Sequence, residues 1–157
     1  MKTGHLTLAE VIRMAVFMEE RGASYYSSLQ EKASDPEIKE ILHRLTEDEK
    51  LHTRQFTRIL IGSSDLAAIP ISTGTRDYLK ALYGKNFFNQ SSDRKGAAVP
   101  QDPQHALALG IEVEKDSILF YHELYQQLPL GEVRDAVGKL LLQEKMHLVE
   151  LRSYIED

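Results

Sequence analysis

The chain has no cysteine among its 157 residues. That removes disulfides, thiolate zinc sites, iron–sulfur clusters and a cysteine nucleophile from consideration, and it fits a reducing compartment. Basic residues are outnumbered by acidic ones, 19 to 24. The net charge is −5, with Lys and Arg interspersed among Glu and Asp, so the clustered basic face of a nucleic-acid binder is missing. No uninterrupted apolar run approaches membrane length, and no charged-then-apolar signal segment opens the sequence. The expectation is a cytoplasmic protein that engages neither nucleic acid nor membrane.

What is present is enough chain for one domain spanning 1–157, with helical periodicity in four segments. The first runs from Thr7 to Ser34, and Thr7 with Glu10 forms a capping-box signature. Asp35-Pro36 ends it and starts the second, which runs to about Ile61, where Gly62 can close it. Residues 62–102 are rich in Gly, Ser, Pro and Asn and hold one short helical stretch, Thr75 to Tyr83. Asp102-Pro103 repeats the cap-and-proline start and opens the third segment, which ends near Leu128-Pro129. The fourth fills the rest, from about Gly131 to Glu156. The expected fold is all-α: two antiparallel helix pairs, 7–61 and 103–156, joined by a long crossover into a four-helix bundle.

Each segment carries an inward stripe, and each stripe is interrupted. In the second, Ile38, Leu42, Leu45, Phe56 and Ile59 flank Glu49 and His52. In the fourth, Val137, Leu140, Leu151 and Tyr154 flank Glu144 and His147. The first and third each bring one glutamate, Glu19 and Glu114, to the same face as Tyr26 and Tyr121. A charged residue in an apolar stripe is costly unless it is paired or metal-bound.

A shift of 95 residues maps the first pair onto the second without a gap: Glu19 on Glu114, Tyr26 on Tyr121, Glu49 on Glu144, His52 on His147. Glu19 and Glu49 each lie about 15 residues from the turn between their helices, roughly 22 Å at ~1.5 Å per residue, and Glu114 and Glu144 bracket the second turn likewise. Four carboxylates and two imidazoles therefore converge in one layer, and their charges balance two divalent cations. Oxygen and nitrogen donors together suit iron or manganese, with zinc as a further candidate. Glu49 and Glu144 are the natural bridges; Glu19 with His52, and Glu114 with His147, the terminal ligands. Ala15, Gly22, Gly110 and Ser117, one turn from Glu19 or Glu114, leave room for the ions. The Tyr26 and Tyr121 hydroxyls are expected to hydrogen-bond ligand carboxylates; the alternative is that both are core aromatics.

The stretches MEERGASYY (18–26), EDEKLH (47–52), VEKDSILFY (113–121) and LQEKMH (142–147) resemble the rubrerythrin branch of the ferritin-like superfamily, and the resemblance covers both helix pairs. A glutamate from each of two helices plus Glu-x-x-His from each of the other two is the donor set of ferritin-like di-iron proteins. The resemblance implies a ferritin-like bundle with a di-iron centre and an oxidoreductase that reacts with peroxide or dioxygen, the expected assembly being a homodimer. Two features depart from that pattern. The chain has no cysteine-rich rubredoxin module, so a separate electron-donor protein is expected, and Ser117 stands where rubrerythrins carry an extra carboxylate.

Competing readings are a non-catalytic iron-binding or storage protein and a metal-free bundle serving as an interaction module. Glu-x-x-His also occurs at Glu40 and His43, off the stripe and with Asp135 and Gly138 at the repeat positions, which reads as a solvated face. His5, His105 and His122 read as surface residues, and Phe87 and Phe88 as anchors for the crossover.

Overall fold

Thr7 begins the first helix as its spacing to Glu10 predicts. The Thr7 side chain accepts from the Glu10 backbone N–H at 3.3 Å, and the Glu10 carboxylate accepts from the Thr7 N–H at 2.7 Å. The helix so capped is α1, Leu8–Lys32. The computed structural model describes residues 5–85 and 98–155. Within them α2 is Pro36–Gly62, a 3-10 turn covers Ser64–Ala68, α3 is Thr73–Lys85, α4 is Pro103–Gln127 and α5 is Glu132–Arg152. Asp35 and Asp102 cap α2 and α4 by accepting from the N–H groups of Glu37 and Gln104 at 2.9 and 3.2 Å, each with a proline at the helix start. Shifted by 95 residues, α1 falls on α4 end for end.

The architecture is all-α, a four-helix bundle of α1, α2, α4 and α5 whose two helix pairs are joined by the crossover. The helix α1 packs on α2 and α4 on α5, and further contacts join α1 to α4 and α2 to α5. Its core has two parts. One apolar cluster gathers Leu8, Ile12, Phe56, Tyr121, Leu124 and Leu140; the other gathers Tyr26, Leu29, Leu42, Leu45, Leu107 and Leu151. The inward glutamates and histidines lie along the helices between these two ends.

The crossover travels from one cluster to the other, since Ile71 and Leu79 belong to the first and Val99 to the second. Its start is tied to the beginning of α1: Leu8 N–H donates to the Ile69 carbonyl at 3.0 Å and Ile71 N–H to that of Leu6 at 2.8 Å. Phe87 and Phe88 lie outside the described residues. Among those described, no helix is long and apolar enough to cross a membrane.

Helix boundaries differ from expectation in four places. The first helix stops at Lys32, because Ala33 is already extended at ψ 138°. Gly62 remains inside α2, and Ser63 terminates it. In the crossover, α3 is longer than 75–83. The last helix stops at Arg152, short of Glu156: the Tyr154 and Ile155 N–H groups reach back only three residues, to Leu151 and Arg152, and the Ser153 hydroxyl takes the Glu150 carbonyl. These tighter bonds close the helix. Gly131, in the turn between α4 and α5, has φ of 150°, a backbone that side-chain-bearing residues rarely adopt.

Candidate metal centre

Glu19 on α1, Glu49 and His52 on α2, Glu114 on α4, and Glu144 and His147 on α5 meet in one layer, each at most 4% exposed. Their donor atoms form two overlapping groups of four, Glu19, Glu49, His52 and Glu144 in one and Glu49, Glu114, Glu144 and His147 in the other. Within each group the atoms lie within 4.8 Å of one another, and Glu49 and Glu144 belong to both. The imidazoles stack 5.7 Å apart with their planes 19° from parallel. His52 Nδ1 is 2.9 Å from Glu144 and 3.4 Å from Glu19. His147 Nδ1 is 3.2 Å from Glu49 and 3.6 Å from Glu144.

The tyrosines cross between the halves. Tyr26 of α1 donates to Glu114 of α4 at 2.6 Å, and Tyr121 of α4 donates to Glu19 of α1 at 2.5 Å. Gly110 serves this arrangement rather than leaving room for ions: a Cβ there would lie 3.3 Å from the Tyr26 ring. The outer edges of the histidines are also held. His147 Nε2 is 3.1 Å from Asp48 Oδ2, and His52 Nε2 is 2.6 Å from Gln143 Oε1. Asp48 and Gln143 were not among the residues singled out from sequence. The one trace of them in the sequence is position: each immediately precedes the inward glutamate of its helix, and the two fall 95 residues apart.

The electrostatics of the layer test whether cations fit it. Burial pushes Glu19, Glu49 and Glu114 above the usual carboxylate range, and the neighbouring Glu144 adds to the effect. Burial acts on Glu144 in the same sense, but hydrogen bonding with Glu114, His147 and His52 outweighs it and holds Glu144 well below that range. Burial would lower both imidazoles; Glu144 and Glu19 instead push His52 up to about 10, and Asp48, Glu144 and Glu49 raise His147. From protein groups alone, three of the four carboxylates and both rings hold a proton more readily than the free groups would. Glu19 Oε2, Glu49 Oε1, Glu114 Oε2 and His147 Nδ1 are buried without a hydrogen-bond partner, an unfavourable state for polar atoms. Two divalent cations would displace those protons and give the orphaned atoms partners, so the donor set fits a dinuclear site.

Glu40 and His43 are exposed on α2, and His5, His105 and His122 are exposed as well. A cleft of about 540 Å³ lies between α2 and α5, lined by Gln55, Arg58, Glu132, Asp135, Lys139 and Gln143 among others.

Comparison with known proteins agrees with this fold. A crystal structure from Thermotoga maritima, described as a ferritin-like diiron-carboxylate protein, superposes with a TM-score of 0.72 at 25% identity, covering 95% of this chain and 94% of that one. No curated protein matches the sequence. The rubrerythrin family model matches residues 10–155, nearly the whole chain, and the protein therefore belongs to the rubrerythrin family.

Proposed function

We propose that this protein is a di-iron oxidoreductase that reacts with peroxide or dioxygen. The observation that carries this reading is the buried layer of two overlapping four-donor groups sharing Glu49 and Glu144. Glu49 and Glu144, common to both groups, would be shared by two cations, with Glu19 and His52 completing one position and Glu114 and His147 the other. Bound iron supplies the electrons for reducing the oxidant.

The chain's own groups do the rest. Tyr26 and Tyr121 fix the rotamers of Glu114 and Glu19, which holds each carboxylate in place and leaves its other oxygen available. Asp48 and Gln143 orient the rings so that each Nδ1 faces the carboxylates. The apolar clusters at either end keep bulk water from the layer. The cleft between α2 and α5 reaches Gln143, whose side chain touches His52, and gives a small polar oxidant a way to approach. A separate electron donor returns the centre to its reduced state.

Stopped-flow mixing of the ferrous protein with hydrogen peroxide tests this. The expected result is oxidation much faster than that of free ferrous iron; a rate no faster than free iron rejects the reading.

A further inference from the structure

Asp48 and Gln143 occupy the same place in the two halves of the molecule, and each holds the outer nitrogen of the other half's histidine. A carboxylate or amide oxygen can only accept, so Nε2 carries the proton in each ring, and in the neutral ring Nδ1 presents its lone pair to a cation held among the carboxylates. The surroundings of the two rings otherwise match closely. Each Nδ1 faces the inward glutamate of the opposite Glu-x-x-His helix and the tyrosine-held glutamate of its own half: His52 at 2.9 Å from Glu144 and 3.4 Å from Glu19, His147 at 3.2 Å from Glu49 and 3.8 Å from Glu114. What differs is the charge of the outer partner, a carboxylate on His147 and a neutral amide on His52. A carboxylate draws the Nε2 proton toward itself and makes the far nitrogen a stronger ligand; it also places a negative charge near whatever cation that nitrogen binds.

We propose that this difference makes the two metal positions unequal. The position completed by Glu114 and His147 binds a divalent cation more tightly and fills first; the position completed by Glu19 and His52 fills second. The inference rests on the dinuclear reading above. Partners of ligating histidines commonly change metal affinity by about 10–100-fold. The Asp48 side chain is 52% exposed, and water screening places the expected ratio near the lower end, about tenfold.

The test uses metal-stripped protein given one molar equivalent of Co²⁺ and crystallised, with the occupancy of each position read from anomalous diffraction. The expected result is severalfold higher occupancy beside His147 than beside His52. Asp48→Asn should bring the two occupancies together by weakening the first position, and Gln143→Glu should do so by strengthening the second. Both replacements keep side-chain size and remove no ligand. Equal occupancy in the unaltered protein, preference for the His52 position, or an unchanged preference in Asp48→Asn would overturn the proposal while leaving the dinuclear site standing. Co²⁺ at neither position would reject the site itself, and this inference with it.

Discussion

In the first helix pair Glu19, Tyr26, Glu49 and His52 face the buried layer; in the second Glu114, Tyr121, Glu144 and His147 do so, each 95 residues further on. Outside the layer the correspondence is only partial. The helix α5 ends at Arg152, short of the end that a shifted α2 would reach, and the partner of the buried histidine changes from Asp48 to Gln143. Repeat symmetry therefore survives where four side chains of each half must meet four of the other, and relaxes where a residue answers only to solvent and one neighbour. The two halves are also not separate sites side by side. Each tyrosine holds the glutamate of the opposite half, and Glu49 and Glu144 serve both donor groups.

The strongest way to break this comparison is to remove a shared residue and an unshared one. Glu144→Ala should reduce metal content from two ions per chain to nearly none, because both positions lose a ligand and the remaining charges no longer balance two cations. Glu19→Ala should lose only the ion beside His52. Elemental analysis after anaerobic loading reads both. Equal losses in the two variants would show that the halves do not divide into shared and private ligands.

A smaller effect sharpens the comparison at the tyrosines. Tyr26→Phe and Tyr121→Phe each deprive a buried carboxylate of a donor, which should cost about 1–3 kcal/mol. The two hydrogen bonds are nearly the same length, so the losses should be alike in urea unfolding of the loaded protein. Losses near zero in both would return the tyrosines to the simpler role of core aromatics.

How much of this was legible in the sequence follows from the same division. Glu49, His52, Glu144 and His147 stood out because a charged or polar residue in a 3–4 apolar stripe violates the pattern around it. Their burial, and that of Glu19 and Glu114, follows from the stripe. Asp48 and Gln143 were hidden because each sits one residue off the stripe, at an exposed position where polar residues are ordinary, and its contact is made across the bundle to another helix. The small residue at Gly110 was visible but its purpose was not, since the ring it accommodates comes from α1, 84 residues earlier in the chain. Helix starts at Thr7, Asp35 and Asp102 carry their own capping chemistry and were readable. Helix ends at Lys32 and Arg152 depend on local backbone bonds that composition does not encode.

The smallest expected effect belongs to the decoy, and it is the control on the whole reading. Glu40 and His43 repeat the Glu-x-x-His spacing on α2, the same helix as Glu49 and His52, so helix propensity and local sequence do not separate the two motifs. The face does, together with the repeat: Glu40 and His43 are exposed, while Glu49 and His52 are buried in the layer. A surface substitution away from caps and networks usually changes stability by no more than about 0.5 kcal/mol. Glu40→Ala with His43→Ala should stay near that range, by urea unfolding, and leave two ions per chain by elemental analysis. If the double variant lost an ion, spacing alone would be selecting metal ligands, and the argument from burial and repeat symmetry would fail for the other six residues as well. If it lost none, the same motif on one helix would have been shown to bind only on the face that the bundle turns inward.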